Sequence, residues 1–143
     1  MSTASNCIFC AIAAGKAPCH KIMESDNVLA FMDLFPANDG HALVIPKQHF
    51  ETIYDANDAA LAEVFAVARR LALALRAEFA PDGLTVSQAN GEAAGQTVPH
   101  YHVHLIPRTA GAGRRGHGDR QADPDTLAAY AERLARAYAE VRA

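Results

Sequence analysis

The sequence predicts a single α+β domain whose sheet is mainly antiparallel. A chain of 143 residues fits one domain of ordinary size. Hydrophobic residues make up 50% of it and charged residues 20%, the composition of a globular protein with its own core. The predicted elements run as strands, a helix, strands and a helix. Because this order does not alternate strictly, it favours an antiparallel sheet over a doubly wound one.

About five short strands are predicted, because apolar segments of strand length lie between clusters of turn-forming residues. Ser25-Asp26-Asn27 and Pro36-Ala37-Asn38-Asp39-Gly40 separate the first three segments, and the turn at residues 90–95 separates the last two. The predicted strands are residues 20–24, 27–34, 41–46, 84–89 and 100–106.

Two helices complete the predicted domain. A long central helix is expected over residues 58–79, with Asn57 or Asp58 as its cap. A C-terminal helix is expected to begin at Asp123-Pro124, a capping side chain followed by proline. Apolar residues recur at helical spacing in the central helix, which predicts a buried face of Leu61, Phe65, Ala68, Ala72, Leu75 and Phe79. The face predicted for the last helix is Leu127, Tyr130 or Ala131, Leu134 and Tyr138.

The charge balance and the cysteines argue against several classes of protein. Thirteen Lys and Arg against sixteen Asp and Glu give a net charge of −3, so no positive field predicts binding to nucleic acid or to an anionic membrane. No apolar run reaches the roughly 18 residues of a membrane-spanning helix. Cys7, Cys10 and Cys19 are an odd number in a domain that needs no disulfides, so we expect a cytoplasmic, reducing environment.

A segment rich in glycine and arginine, residues 108–120, separates the last predicted strand from the last helix. Its four glycines keep it from packing as a regular element, and its four arginines could close over phosphates. A solvated, mobile loop is the more ordinary interpretation, and both remain open.

Four histidines lie beside or within predicted strands: His41, and His100, His102 and His104 at intervals of two. Alternate residues of a strand share a face, so the last three imidazoles are expected in a row about 6.6 Å apart. The intervening residues would face the core, namely Tyr101, Val103 and Leu105. A neutral imidazole can attack phosphorus while a protonated neighbour assists the leaving group, and a His-x-His pair can also bind a metal ion. The spacing alone leaves both chemistries open, together with a purely structural role.

Just before this row of histidines, Gly95-Gln96-Thr97 offers a cradle for an anion. Glycine lets backbone N–H groups approach a bound phosphate, and the Thr97 hydroxyl can donate to it. Three such residues often form only a turn, so they support a phosphorus substrate only because they lie beside the histidines.

Five segments together resemble the histidine-triad (HIT) family of nucleotide hydrolases and transferases, in the family's order and spacing. They are Cys7-Ile8-Phe9-Cys10, Val28–Asp33, Gly40–His49, Asn90–Thr97 and the histidine row ending at Ile106-Pro107-Arg108. The resemblance implies a HIT-type fold and one HIT domain over residues 1–143. Its core would be residues 7–108, followed by the Gly/Arg-rich segment and the last helix at 109–143.

The resemblance also implies hydrolysis of nucleoside phosphoramidates, or of related purine nucleotides such as dinucleoside polyphosphates and adenylates, without a catalytic metal. His102 would attack the α-phosphorus and form a nucleotidyl-histidine intermediate that water resolves. His104 would contact the phosphate oxygens or the leaving group, with His41 and His100 behind them. The related transferases typically carry glutamine at the position of His104, so hydrolysis is favoured. The alternative is a nucleotide-binding regulatory protein with vestigial activity, and a third reading places a metal ion on the histidine row.

The family's substrate contacts carry over to matching positions. Asp33 would accept the ribose hydroxyls, because a carboxylate can take two protons from a diol. Aliphatic side chains around Ile8 and Ile22 would help to enclose a purine base. One departure from the family pattern is Ala89, which stands where a polar amide is usual. The remaining predicted substrate contacts are Phe31, Asn90, Gly95, Gln96 and Thr97.

A structural zinc ion and a homodimer are further expectations from the resemblance. Cys7-x-x-Cys10 alone is half of a zinc site. Some bacterial HIT proteins complete it with a histidine after the Ile-Pro-Lys segment and with the first histidine of the row, which are His49 and His100 here. Four protein ligands leave no open position for catalysis, so such an ion would be structural. His100 is thereby a predicted zinc ligand as well as a supporting imidazole.

Overall fold

The computed structural model describes residues 6–111 and 120–142. Within them the elements are α1 (Ile8–Ala13), β1 (Lys21–Glu24), β2 (Val28–Met32), β3 (Ala42–Pro46), α2 (Asp58–Phe79), β4 (Gly83–Ser87), a 3₁₀ turn (Glu92–Ala94), β5 (Val103–Arg108) and α3 (Pro124–Glu140). Residues 112–119 of the predicted Gly/Arg-rich segment lie outside the described residues. In the part of the chain that is described, no helix has the length and apolar character needed to cross a bilayer.

The five strands form one sheet in the order β1-β2-β3-β5-β4, and every neighbouring pair is antiparallel. The predicted α+β class with a mainly antiparallel sheet is therefore confirmed. β2 and β3 are buried along their whole length, so the middle of the sheet is a layer covered on both faces. In this layer Leu43 of β3 lies opposite His104 of β5.

The two faces of the sheet are covered by different elements. α2 and α3 pack on one face and enclose the main core, which alternate β2 residues join: Val28, Ala30 and Met32. The intervening Leu29 and Phe31 point to the other face, where they pack with Phe9 of α1. Side chains alternate along β5 as well, so Leu105 joins the main core while His104 lies on the side of α1.

The central helix forms over the predicted residues, but its buried face coincides only in part with the predicted one. Asn57 caps α2, its side-chain oxygen accepting the N–H of Ala60 at 2.9 Å. The predicted face included Phe65, which is 46% exposed, and Leu61 and Ala72, which are only half-buried. The residues that are buried are Val64, Val67, Ala68, Leu71, Ala74 and Leu75. Ala68 and Leu75 are thus buried as predicted, whereas Phe65 was wrong. The other predicted residues are half-buried and pack against the core: Leu61, Ala72 and Phe79. Phe65 was included because α2 is apolar on most of its sides, so several stripes fit a helical spacing.

The C-terminal helix begins as predicted. The Asp123 carboxylate accepts the N–H of Thr126 at 3.1 Å, and Pro124 occupies the first turn. The buried residues of α3 are Leu127, Ala131 and Leu134, whereas Tyr130 and Tyr138 are half-buried. Arg133 fastens α3 to the end of α2, donating to the carboxylate of Glu78 at 3.1 Å and to its backbone carbonyl at 2.9 Å.

The six-residue helix α1 has no counterpart among the predicted elements. Six residues give almost no periodic signal, and so short a helix is unstable on its own. It forms here because Cys7 caps it, with Sγ accepting the N–H of Cys10 at 3.3 Å. The Phe9 side chain is also buried against the sheet. A local cap and the tertiary contact of Phe9 therefore stabilise this helix together.

The predicted strand at 100–106 starts later than expected, at Val103, so only His104 of the three histidines lies within it. Pro99 has no N–H for a strand ladder, and the N–H of Tyr101 donates to a loop carbonyl at 2.7 Å instead. The expectation of three imidazoles evenly spaced on one strand was therefore wrong. The intervening residues do face the main core as predicted: Tyr101, Val103 and Leu105.

Candidate active site

A cleft of about 460 Å³ opens on the face of the sheet that α1 covers. Its polar lining consists of Asp33, Thr97, His102 and His104, with the thiol of Cys19 beside them. Apolar walls with a few converging polar groups are typical of a small-molecule site. The apolar lining residues are Ile8, Phe9, Ile12, Pro18, Phe31, Met32, Leu34, Phe35, Leu43 and Val98.

The proton of His102 is placed by the backbone of its neighbour. His102 Nδ1 donates to the carbonyl of His100 at 2.7 Å. A neutral imidazole carries one ring proton, so its lone pair is then on Nε2. His102 lines the cleft and is 6% exposed. It is thus held in the tautomer that a nucleophile attacking through Nε2 requires.

A second proton assignment runs through His41, which is fully buried. The backbone N–H of Ala37 donates to His41 Nδ1 at 2.9 Å, so the ring proton is on Nε2. His41 Nε2 lies 2.9 Å from Nδ1 of His104. Donation to that atom leaves the proton of a neutral His104 on its own Nε2. His104 is thereby a hydrogen-bond donor in a position that lines the cleft.

Asp33 lies beside these two rings and is 4% exposed. Its Oδ1 accepts the N–H of Phe35 at 2.8 Å. Its Oδ2 is 3.4 Å from His41 Nε2 and 4.0 Å from His104 Nδ1. Asp33 therefore belongs to the same buried polar cluster as His41 and His104.

A separate cluster of two cysteines and two histidines gathers at the start of α1. His100 Nδ1 lies 3.3 Å from Cys7 Sγ and 3.2 Å from His49 Nδ1, and His49 Nδ1 lies 3.2 Å from Cys10 Sγ. All four ligand atoms are within 4.8 Å of one another. A tetrahedral zinc ion, with bonds of about 2.0–2.1 Å to nitrogen and 2.3 Å to sulfur, places its ligand atoms roughly 3.3–3.8 Å apart. The donor set and the spacings fit a closed metal site.

The protonation of the cluster also suits a metal. His100 Nε2 donates to the carbonyl of Pro46 at 2.8 Å, so the lone pair of the neutral ring is on Nδ1, inside the cluster. Burial lowers the pKa of His100 to about 4, although the bond to Pro46 opposes this shift. Burial, the hydrogen bond with Cys7 and the charge of Cys7 raise the pKa of the Cys10 thiol to about 11. A metal ion binding here at neutral pH must therefore displace a proton from Cys10.

Asp33, His41 and His104 also lie close enough together to be considered as a metal site. A histidine ligand almost always donates its other ring nitrogen to an acceptor, as His100 does. His41 does the opposite, because its second nitrogen accepts the N–H of Ala37. Coordination through Nε2 would then require the ring to lose both protons. The geometry favours a proton network at these three residues over a metal.

The structure places the predicted substrate residues in two groups. Phe31, Asp33 and Thr97 line the cleft. Asn90 and Gln96 instead connect loops: Asn90 Oδ1 accepts the N–H of Ile53 at 2.7 Å, and Gln96 Oε1 accepts that of Gly91 at 2.7 Å. The cleft lining in the described residues does not include these two, nor Gly95. Of the two aliphatic residues proposed for the base, Ile8 lines the cleft, but Ile22 was wrong, because it belongs to the main core on the opposite face of the sheet.

Several residues of the site were not found from the sequence. The N–H of Ala37 carries no side-chain signal, although the turn-forming segment around it indicated a backbone exposed to such contacts. Phe9 appeared only as part of the Cys-x-x-Cys segment, and its place beside His102 became visible only with α1. Leu34 and Phe35 follow the predicted strand and gave no sign that they border a cleft.

Comparison with known proteins identifies the family. The HIT domain family matches residues 14–111 of this chain. The chain belongs to the HIT family. Protein hit of Bacillus subtilis is 48% identical to it over 108 residues, which are 76% of this HIT protein and 74% of the relative. These findings confirm the family that the five segments resembled.

Two further relatives bear on the fold and the site. The adenosine 5′-monophosphoramidase hnt1 of Schizosaccharomyces pombe is 39% identical over 103 residues, 72% of this HIT protein and 74% of the relative. The crystal structure of a Zn-bound histidine triad family protein from Mycobacterium smegmatis superposes with a TM-score of 0.84 at 36% identity, covering 96% of each chain. The predicted HIT-type fold is thereby confirmed.

Proposed function

We propose that this HIT protein hydrolyses nucleoside phosphoramidates or related purine nucleotides at the α-phosphorus, through a nucleotidyl intermediate on His102. The hydrogen bond from His102 Nδ1 to the carbonyl of His100 carries the proposal, because it places the ring proton on Nδ1 and the lone pair on Nε2. The relative named adenosine 5′-monophosphoramidase supports the substrate class. The apolar cleft, with Phe31 in its lining, suits a purine base, and Asp33 suits the ribose hydroxyls.

In the first step, Nε2 of His102 forms a bond to the α-phosphorus, and the bond from phosphorus to the leaving nitrogen or oxygen breaks. The leaving group departs with a proton taken up from water, while His104 donates a hydrogen bond from Nε2 to the leaving atom. The His102 ring becomes positively charged while it is bonded to phosphorus. Its Nδ1–H remains donated to the carbonyl of His100, which stabilises this charge.

In the second step, a water oxygen bonds to phosphorus and the bond to Nε2 of His102 breaks, releasing a nucleoside monophosphate. The proton from this water passes to solvent, which balances the proton taken up by the leaving group, and both rings keep their starting protonation. Nδ1 of His104 lies 2.9 Å from His41 Nε2, so the hydrogen bond from His41 keeps the proton of His104 on Nε2 in both steps. Thr97 lines the same cleft and would donate its hydroxyl to a phosphate oxygen.

We further propose that Cys7, Cys10, His49 and His100 hold a structural Zn²⁺. Two thiolates and two imidazoles are ligands that zinc prefers, and the related protein from Mycobacterium smegmatis is described as Zn-bound. Such an ion would supply a rigid connection between α1 and the sheet. The chemistry at phosphorus needs only the proton network of the cleft.

The experiment is to mix the full-length protein with adenosine 5′-phosphoramidate, quench with base and detect the chain by mass spectrometry. We expect an adenylyl adduct that is labile to acid, and its loss in His102→Ala. The control is His20→Ala, a histidine outside the cleft lining, which must keep the adduct. AMP binding without adduct or turnover of any nucleotide would instead identify a nucleotide-binding regulatory protein.

A further inference from the structure

His100 belongs to both of the sites described above. Its Nδ1 lies in the metal cluster, 3.3 Å from Cys7 Sγ and 3.2 Å from His49 Nδ1, while its Nε2 donates to the carbonyl of Pro46. Its own carbonyl accepts Nδ1–H of His102 at 2.7 Å. A displacement of His100 therefore moves the acceptor that fixes the tautomer of the nucleophile.

Phe9 forms a second connection between the two sites. It lies between the ligands Cys7 and Cys10 in α1 and also lines the cleft. Its ring meets the His102 ring edge-on, with centroids 5.2 Å apart and planes at 88°, and it meets the His100 ring at 5.9 Å. An aromatic edge against an imidazole is a favoured and orientation-dependent contact. The ring of Phe9 thus holds the His102 ring in the plane that its hydrogen bond requires.

The way in which α1 is attached makes these connections sensitive to the metal. In the described residues, the backbone hydrogen bonds of segment 7–17 are all internal to that segment. The helix is therefore attached to the sheet through side chains, and two of these, Cys7 and Cys10, belong to the metal cluster. A six-residue helix without those anchors is too short to keep its shape or position.

We propose that metal binding at the cluster positions the catalytic imidazole, with Phe9 as the positioning residue, so that loading of this cluster regulates nucleotide chemistry in the cleft. The proposal rests on the hydrolytic function proposed above. When the cluster is loaded, α1 is fixed, Phe9 stays against His102, and Ile8 and Ile12 complete the cleft wall. When it is stripped, the nucleophile loses its orientation and the wall loses its shape.

The first test compares the zinc-loaded full chain with the same protein after chelation under reducing conditions. A two-bond ¹H–¹⁵N spectrum of the histidines reports which nitrogen of His102 carries the proton, independently of activity. We expect the Nδ1–H form in loaded protein, a mixture of tautomers in stripped protein, and restoration when Zn²⁺ is added back. AMP binding by calorimetry should weaken in parallel. A His102 tautomer and AMP affinity that do not change in folded, stripped protein would overturn the proposal.

The second test keeps the metal and removes the aromatic contact, which decides the matter even where stripped protein unfolds. Phe9→Leu should still bind one zinc per chain, yet it should show mixed His102 tautomers. Its rate of adduct formation at saturating substrate should fall about a hundredfold, as expected for a nucleophile misplaced by about 1 Å. Phe79→Leu is the matched control, because Phe79 packs edge-on against Tyr130 of α3, away from the cleft. This variant should leave both the His102 tautomer and the rate unchanged.

The outcomes separate this inference from the proposed function. Wild-type protein that forms no adduct in the loaded state overturns the hydrolytic function. Wild-type protein that forms the adduct equally well with and without zinc, and Phe9→Leu with a normal rate and a single His102 tautomer, overturn the coupling alone.

Discussion

The hydrogen bonds from Ala37 to His41 and from His41 to His104 predict which substrates react more slowly when His41 is replaced. His41→Phe keeps a planar ring and removes both nitrogens. The N–H of Ala37, a residue only 1% exposed, loses its acceptor, and His104 loses the donor that keeps its proton on Nε2. The substitution should therefore affect stability and chemistry by two separable amounts.

The magnitude for stability follows from the buried backbone group. Leaving a buried donor unsatisfied costs about 1–3 kcal/mol. Unfolding entropy of about 2.1 cal/mol/K per residue gives about 0.3 kcal/mol/K for this length, so the melting temperature should fall by about 3–10 °C. Loss of a positioned hydrogen-bond donor should lower the rate by about 10²–10³ for a poor leaving group.

The assay measures adduct formation with two adenylates that differ in their leaving group. An alkylamine needs a proton to depart, so His41→Phe should be slow with the alkyl phosphoramidate. 4-Nitrophenolate departs without one, so the nitrophenyl ester of AMP should react nearly as fast as with wild-type protein. His20→Phe is the control for loss of an imidazole elsewhere. An equal loss of rate with both substrates would refute the proton assignment and indicate that His41 serves only to shape the site.

Three further predictions concern the helix face, the metal cluster and the assembly. Leu71→Ala, in the buried face of α2, should lower the free energy of unfolding in urea by about 2–5 kcal/mol, whereas Phe65→Ala should lower it by only about 1 kcal/mol. A larger loss for Phe65→Ala than for Leu71→Ala would contradict the observed burial. The Cys10 thiol has its pKa raised to about 11 and must lose its proton when zinc binds. Zinc affinity, measured by chelator competition, should therefore rise at least about tenfold per pH unit between pH 6 and pH 8, and an affinity independent of pH would contradict Cys10 as a ligand. Val86 is 47% exposed on β4, an edge strand, so we expect sedimentation to give a dimer for wild-type protein and a monomer for Val86→Lys; a wild-type monomer would remove the expected homodimer.

The sequence predicted those parts of the molecule where a short pattern of residues has only one physical meaning. The caps at Asn57 and Asp123 are local, so both long helices begin where expected. The alternation around His104 correctly assigned its neighbours to the core. The ligand set, by contrast, came from the family pattern, and the structure gathers it from segments as far apart as Cys7 and His100.

What the sequence did not reveal depends on contacts between distant segments or on the backbone. The face of α2 was assigned only in part, because alanine and leucine surround the helix, and only the sheet decides that Leu71 rather than Phe65 is buried. α1 exists only because its side chains find partners elsewhere. The N–H of Ala37, which sets the tautomer of His41, is invisible to any pattern of side chains.

The backbone hydrogen bonds of segment 7–17 are local, whereas those of the strands join distant parts of the chain. The two sides of the cleft, α1 and the sheet, are therefore expected to differ in local stability. The paired amide protons of β2 and β3 lie in strands that are buried along their whole length, so we expect their exchange with deuterium to require global unfolding. The amide protons of α1 are expected to exchange whenever this short helix detaches from the sheet. That local opening should require a much smaller free energy than global unfolding. The sheet side of the cleft is thus expected to persist for as long as the protein stays folded. The α1 side is expected to open and close many times in that period.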